Sequence, residues 1–172
     1  MKSGLPTQHT MKHWFILVIV ASLSLTANAD DKGTPAKPAD GKTGKVTSAD
    51  EKAHEGVWKP IAAVLGGAKL PPPALKAITL KITGNNYEVT VEGEKEPDKG
   101  TCMLDTNSNP KRMIIKGTEG PNRGKTFLAI YEMKDASSMR VCYDLSGTAF
   151  PKEFKAPKDT QLYLVGYRRQ KE

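Results

Sequence analysis

The sequence predicts an all-β domain, a single eight-stranded antiparallel up-and-down barrel, either round or flattened. Short runs with an apolar residue at every second position follow one another along the chain after residue 53. Links of hairpin length, rich in Gly, Asn, Asp and Pro, separate most of these runs, as in antiparallel hairpins. About eight such runs are enough to close a barrel, which removes exposed sheet edges.

The first runs surround Trp58 and the "GNN" turn. "GVWKPIAAVLGG" opens the domain with a short strand or turn, and its Gly and Pro content excludes a long helix. One helical turn near residues 60–65 remains compatible with the pattern. "AITLKIT" and "YEVTVEG" then alternate apolar and polar residues on either side of "GNN". This arrangement predicts a β-hairpin.

The stretch "GTCMLDTNSNPKRMII", residues 100–115, contains a cysteine, an acid and two bases close together. Its turn-forming "TNSNP" divides two apolar runs, which predicts a strand, a loop and a returning strand. Asp105, Lys111 and Arg112 are therefore interpreted as polar residues at the mouth of a hairpin. The later strands are "TFLAIYEM", which is apolar on both faces and so expected to be the most covered, "MRVCYDL", and "QLYLVGYRR" after a long irregular connection at 146–160.

The N-terminus is typical of a secretory signal peptide. A weakly basic start precedes the apolar "WFILVIVASLSLTA", and small residues at Ala27 and Ala29 predict cleavage between Ala29 and Asp30. An uncleaved anchor is the alternative, but the apolar run is shorter than the roughly 20 residues of a spanning helix. Translation starts at Met1 or at Met11. We expect an exported protein, periplasmic or secreted, without a stable membrane span after cleavage.

Residues 30–52 consist almost entirely of Lys, Asp, Gly, Pro, Ala, Thr and Ser, which predicts a disordered linker before a folded domain at 53–172. The chain has a net charge of +7, which permits contact with an anionic envelope component. No dense basic stretch interleaved with aromatic residues is present, so nucleic acid is not an expected partner.

Five motifs in order resemble an uncharacterised lipocalin-like domain family that is abundant in planctomycete bacteria. They are "EGVWKPIAAVLGGAKLP", "GTCMLDTNSNPKRMII", "GKTFLAIYEM", "MRVCYDL" and "GTAFPKEF". The resemblance covers residues 53–169 and implies the barrel fold, but the family carries no agreed activity. The family usually has Arg before the late proline, whereas this chain has Phe150 before Pro151.

Gly56-Val57-Trp58 is also similar to the Gly-x-Trp of the first lipocalin strand. There the Trp packs at the closed end of the barrel beneath an arginine from the last strand. The resemblance implies that Arg168 is this partner, on one face with Leu162, Leu164 and Gly166, in a cation–π contact. An ordinary core role for Trp58 is the alternative.

The two cysteines give conflicting signals. Cys102 and Cys142 in an exported chain imply a disulfide. On the fourth and seventh strands of a regular meander they would lie roughly 14 Å apart, whereas a disulfide needs Cα atoms within about 7 Å. Either the barrel is flattened and the bridge forms, or both thiols are buried and free.

The sequence lacks a recognisable catalytic or metal-binding pattern. His54 is the one histidine after the predicted leader, which leaves no zinc signature and no convincing triad, and no Gly-x-Ser-x-Gly elbow occurs. We therefore expect no cofactor, no metal and no enzymatic activity. Tyr87, Phe127 and Tyr131 fall on predicted inward faces, where they line a ligand pocket or fill the core.

The function favoured by these observations is an exported module that binds a small, partly apolar ligand or an envelope component. The alternative is a structural or protein-interaction domain with a filled core and no ligand.

Overall fold

The computed structural model describes residues 49–171. The predicted signal peptide, with its cleavage site at Ala29 and Asp30, and most of the predicted linker lie outside these residues. The elements in chain order are α1 (Ala49–His54), β1 (Gly56–Leu65), β2 (Ala68–Lys69), α2 (Pro72–Ala77), β3 (Ile78–Thr83), β4 (Asn86–Val91), β5 (Asp98–Asp105), β6 (Arg112–Glu119), a 3-10 turn (Gly120–Asn122), β7 (Thr126–Asp135), β8 (Ser138–Asp144) and β9 (Leu162–Arg169). Helix α1 begins at Ala49, so ordered structure extends into the segment predicted as a linker.

The strands form an antiparallel sheet in the order β1-β3-β4-β5-β6-β7-β8-β9, and β1 also pairs with β9. The sheet is therefore a closed eight-stranded barrel, which confirms the predicted architecture. The two-residue strand β2 pairs with β1 outside this ring. Closure satisfies the backbone groups that the edge strands of an open sheet would leave unpaired.

Residues 60–65, where the sequence was also compatible with one helical turn, belong to β1. The pairing of β1 with β9 runs to Leu65, with a register shift between Pro60 and Ala62 that accommodates the proline. Gly66 and Gly67, both at positive φ, make the turn into β2. The helical turn lies further on, in α2, whose prolines occupy its start, where a missing N–H costs no hydrogen bond.

Both predicted hairpins are confirmed. β3 and β4 pair across the turn at Gly84, with Leu80 opposite Val89. β5 and β6 pair from Asp105 opposite Arg112, next to the loop, to Lys99 opposite Glu119. The Asp105 carboxylate accepts hydrogen bonds from the Asn107 backbone N–H at 3.0 Å and the Ser108 hydroxyl at 2.5 Å, which orders the loop.

All eight strands of the barrel contribute buried residues to its interior. Buried residues of this core are Trp58, Ala63, Leu80, Ile82, Tyr87, Cys102, Met113, Ile115, Phe127, Ala129, Tyr131, Met139, Val141, Val165 and Tyr167. The three residues predicted to face inward, Tyr87, Phe127 and Tyr131, are all among them. Burial of this apolar surface is the main stabilising contribution to the fold.

Strand β7 is covered on both faces, as its composition predicted. The outward-facing Ile130 is fully buried beside Cys142 of β8. The 146–160 connection covers the outer face of β7 and β8. There the Cys142 thiol donates a hydrogen bond to the Lys155 carbonyl oxygen at 3.3 Å. Arg140 lies over the Phe154 ring at 4.0 Å. These contacts anchor the long connection to the outside of the barrel.

Phe150, the residue before Pro151, belongs to the same covering segment. Arg112 of β6 lies over its ring, 4.7 Å from the centroid. This cation–π contact joins β6 to the long connection.

The two cysteines are free, and the possible disulfide between them is not formed. Cys102 faces the interior, whereas Cys142 faces the outer wall beneath the connection. Burial raises the pKa of each thiol to about 11, so both are protonated at neutral pH. Each behaves as a small apolar residue of low reactivity.

Gly100 and Gly117 lie opposite each other on β5 and β6. A Cβ atom added to Gly100 would lie 1.9 Å from the Lys116 carbonyl oxygen, which no rotamer change can relieve. We expect Gly100→Ala to lower the free energy of unfolding by about 1–3 kcal/mol, measured by urea denaturation followed by circular dichroism.

The matched control is Gly166→Ala in β9, where the nearest atom to an added Cβ is Ile61 Cγ1 at 3.8 Å. This variant should stay within about 0.5 kcal/mol of the parent protein. Equal losses in the two variants would contradict the close approach of β5 and β6.

Candidate functional site

One end of the barrel is closed by helix α1. The Trp58 indole Nε1 donates a 2.8 Å hydrogen bond to the His54 carbonyl oxygen, which joins the helix to β1. The Tyr131 hydroxyl donates to Asp50 Oδ2 at 2.8 Å, and Lys111 Nζ lies 2.7 Å from the same oxygen. Burial raises the pKa of the Asp50 carboxyl, but the hydrogen bonds from Lys111 and Tyr131 outweigh it, and the pKa falls below its ordinary value.

Arg169 completes the closure. Its guanidinium carbon lies 4.4 Å from the centroid of the Trp58 ring. Nη2 donates to the Ala53 carbonyl oxygen at 2.5 Å, Nη1 donates to that of Glu55, and Nε donates to that of Ala136 at 2.9 Å. The side chain therefore binds the C-terminal end of α1, where helix carbonyls lack intrahelical partners and attract a cation.

The prediction that Arg168 packs on Trp58 is wrong by one residue. Arg168 is exposed, and the β1–β9 register places Trp58 opposite Arg169. Val165 and Tyr167 belong to the buried core, so odd-numbered residues of β9 face inward. Both faces of β9 carry apolar residues, and the alternation alone could not distinguish them.

His54 lies two residues after the segment predicted as a linker, but its side chain is 1% exposed. Its ring packs edge-on against Tyr131, with centroids 4.6 Å apart. Nδ1 lies 2.8 Å from the Asp50 carbonyl oxygen, whereas Nε2 has no hydrogen-bond partner. Burial lowers the pKa of His54, so the neutral imidazole, with Nδ1–H as the donor, is the stable form.

The opposite half of the interior is lined by tyrosines that sequence reasoning missed. Tyr143 of β8 and the β9 residues Tyr163 and Tyr167 lie on the inward face. The hydroxyls of Tyr143 and Tyr167 are 3.3 Å apart, and the rings of Tyr143 and Tyr163 stack at 5.9 Å. The missed signal was the same alternation in "VCY" and "YLVGY", read on the wrong face.

These rings combine desolvation with residual accessibility. Burial raises the pKa of Tyr143, Tyr163 and Tyr167 above the ordinary value for tyrosine. Tyr143 and Tyr163 nevertheless keep part of their solvent-accessible surface, whereas the neighbouring Val141 and Val165 are fully buried. Tyr143, Tyr163 and Tyr167 form one aromatic surface that faces the interior, and we call these three residues the tyrosine wall.

The three residues predicted to contact a ligand have different surroundings. Tyr131 belongs to the closed end, where its hydroxyl is bound to Asp50. The Tyr87 hydroxyl donates to Asp98 Oδ2 at 3.3 Å. Phe127 packs in the core. The structure therefore places all three inside the barrel. The hydroxyls of Tyr131 and Tyr87 are already hydrogen-bonded to aspartates of the domain.

A groove lies on the outer surface of β3–β6. This groove has a volume of about 300 Å³, and its lining includes Lys81, Glu88, Lys99 and Glu119. Lys99 Nζ lies 3.7 Å from Glu88 Oε2, so part of its positive charge is already compensated. The mixed charges give the groove no strong preference for an anionic polymer.

Within residues 49–171, no group of three or more His, Cys, Asp or Glu side chains is arranged to hold a metal ion. In the same part of the chain, no helix is long and apolar enough to cross a membrane.

No protein-family model matches this chain, and no curated protein matches it. The site must therefore be interpreted from its own geometry.

The closing contact is tested by removing one of two adjacent arginines. Arg169→Ala should lower the free energy of unfolding by about 2 kcal/mol or more, because it removes a cation–π contact and charged hydrogen bonds to backbone carbonyls. Arg168→Ala, at the neighbouring exposed position, should change it by less than about 0.5 kcal/mol. Thermal and urea unfolding of both variants would measure the difference. A larger loss of stability in Arg168→Ala would instead support the predicted packing of Arg168 on Trp58.

The burial of His54 predicts a specific pH dependence. The unfolded chain takes up a proton on this histidine near pH 6.5, whereas the folded protein does so only at lower pH, since burial lowers its pKa. Stability should therefore be greatest above pH 6.5 and fall as the pH decreases towards about 5. Nearby Lys111 and Arg169 act in the same direction, and Asp50 opposes them.

The measurement is the urea midpoint between pH 7.5 and 5. His54→Gln retains a donor for the Asp50 carbonyl oxygen but does not titrate, so its midpoint should be nearly constant over this range. An unchanged pH dependence in His54→Gln would assign the effect to other groups.

Proposed function

We propose that this protein is an exported, lipocalin-like binding module whose barrel interior holds a small, partly apolar ligand. The observation that carries the proposal is the tyrosine wall: Tyr143 and Tyr163 are desolvated and yet partly accessible, and the Tyr143 hydroxyl contacts that of the buried Tyr167. A mostly apolar concave surface with a few convergent polar groups is the usual composition of a small-molecule site.

The two ends of the barrel differ in a way that suits a binding cup. At one end α1 is fastened by Trp58, Tyr131 and Arg169. At the other end Leu70 and Leu75, beside and within α2, pack against the core while remaining partly accessible. Tyr143 and Tyr163 pair one residue before the end of the β8–β9 ladder, close to this second end. A ligand would enter there, above the closed base.

Export and family membership are parts of the same proposal. Export is supported by the basic start, the apolar run and the Ala27–Ala29 cleavage pattern. Membership of the lipocalin-like family is supported by the five motifs and by the arginine of the last strand that covers Trp58. The proposed activity is binding, without catalysis and without a cofactor; a small apolar molecule or an anionic envelope component is the partner, and nucleic acid is not.

The test is native mass spectrometry of the full chain expressed with export and purified from the envelope fraction. The expected spectrum shows a chain that begins at Asp30 and carries an additional mass of a few hundred daltons, which denaturation releases. Protein that has been denatured and refolded in buffer is the control, and it should regain the mass after incubation with an envelope extract.

A chain that never carries the additional mass, before or after incubation with the extract, would contradict the binding proposal. It would favour the structural or protein-interaction domain with a filled core. A retained leader on a cytoplasmic product would contradict export separately.

A further inference from the structure

The charges of the barrel interior restrict the ligand that it can accept. Two charged strand residues contact side chains of the barrel interior: Arg169 at the closed end lies over Trp58, and Asp98 near the other end accepts a hydrogen bond from Tyr87. Arg169 is occupied by the Trp58 ring and three backbone carbonyls. Asp98 accepts hydrogen bonds from the Tyr87 hydroxyl and from the Asn122 backbone and side chain.

The neighbours of the tyrosine wall are uncharged at neutral pH. The titratable groups that raise the pKa of Tyr143 are Tyr163, Cys102 and Tyr87. Those that raise the pKa of Tyr167 and Tyr163 are again phenols of the wall. A carboxylate placed here would lose its hydration without gaining a cation, which is strongly unfavourable.

The hydroxyls of the wall can nevertheless donate hydrogen bonds to a ligand. Tyr143 and Tyr167 share one hydrogen bond, so one of their two O–H groups remains free to donate. The Tyr163 hydroxyl has no hydrogen bond to any described residue. A ligand oxygen could accept a hydrogen bond from these hydroxyls in the place of water.

We infer that the ligand is a neutral apolar molecule with a hydroxyl or carbonyl oxygen, which the Tyr143–Tyr167 hydroxyl pair binds. This inference rests on the proposed binding function and specifies its ligand class. The rings of the wall contact the apolar body of the ligand, and its single oxygen selects neutral compounds over fatty acids and other organic anions.

The experiment compares three fluorescent probes that share one skeleton: 9-anthracenemethanol, 9-methylanthracene and 9-anthracenecarboxylate, titrated into the purified, delipidated full-length mature protein at pH 7.5. Dodecan-1-ol and dodecanoate, measured by displacement of the bound alcohol probe, repeat the comparison with a linear body. The alcohol should bind at least tenfold more tightly than the carboxylate of the same skeleton.

Two isosteric variants separate the hydroxyl pair from the rest of the interior. Tyr143→Phe should weaken alcohol binding about fivefold to tenfold and change methylanthracene binding by less than about twofold. Tyr87→Phe removes a hydroxyl of the same interior that is already bound to Asp98, so it should leave the ratio of alcohol to hydrocarbon affinity unchanged. Thermal unfolding of both variants verifies that they are folded.

The outcomes distinguish this inference from the proposed function. Carboxylate binding equal to or tighter than alcohol binding would overturn the neutral ligand class and leave the binding module standing. Equal losses in Tyr143→Phe and Tyr87→Phe would overturn the assignment to the hydroxyl pair. Failure of every probe to bind, together with native spectra that contain no ligand, would overturn both proposals.

Discussion

The closed base of the barrel depends on one contact, the packing of Arg169 on Trp58 at the start of β1. This guanidinium group joins three parts of the chain: the first strand through the indole ring, helix α1 through its terminal carbonyls, and the β7–β8 turn through Ala136. Because β1 and β9 are also the pair that closes the sheet, the same contact supports both closure of the cylinder and closure of its end.

Helix α1 has six residues and is too short to be stable alone. Its order comes from the barrel beneath it, through the buried His54 ring, the Trp58 hydrogen bond and the Asp50 contacts with Tyr131 and Lys111. Most polar groups at this end are thus hydrogen-bonded within the domain, although the buried His54 Nε2 has no partner. The tyrosines at the other half of the interior retain unused hydroxyl capacity, and this difference makes that half the candidate ligand site.

The outside of the barrel shows that a long irregular connection can be structural. The 146–160 segment covers Ile130 and Cys142 and is held by two arginine–aromatic contacts. Asp144 orders its start by accepting hydrogen bonds from Ser146, Thr148 and Ala149. A second apolar layer therefore extends the core beyond the barrel interior, which explains why β7 is apolar on both faces.

Much of the fold followed from alternation and turn composition: the strands from β3 onward, their hairpins, the covered β7 and the closed antiparallel barrel. Two local features were less clear. A helical turn on β1 was left open because Pro60 and the glycines after it suppress a strand signal, yet β9 supplies a partner along this segment. Helix α1 was assigned to the linker because "ADEKAH" is polar, although its acidic start and basic end are typical of a helix.

The sequence by itself determined the class of fold, because a period of two between short turns can be satisfied only by strands that pair with their neighbours. The tertiary structure alone decided which face of β8 and β9 points inward, and that Arg169 and not Arg168 covers Trp58. It also decided that Cys102 lies on the inner face of the barrel sheet and Cys142 on the outer face. The physical reason is that alternation specifies two faces without saying which is the inner one. On strands that are apolar on both sides, only the register of barrel closure and the cover of the long connection make that choice.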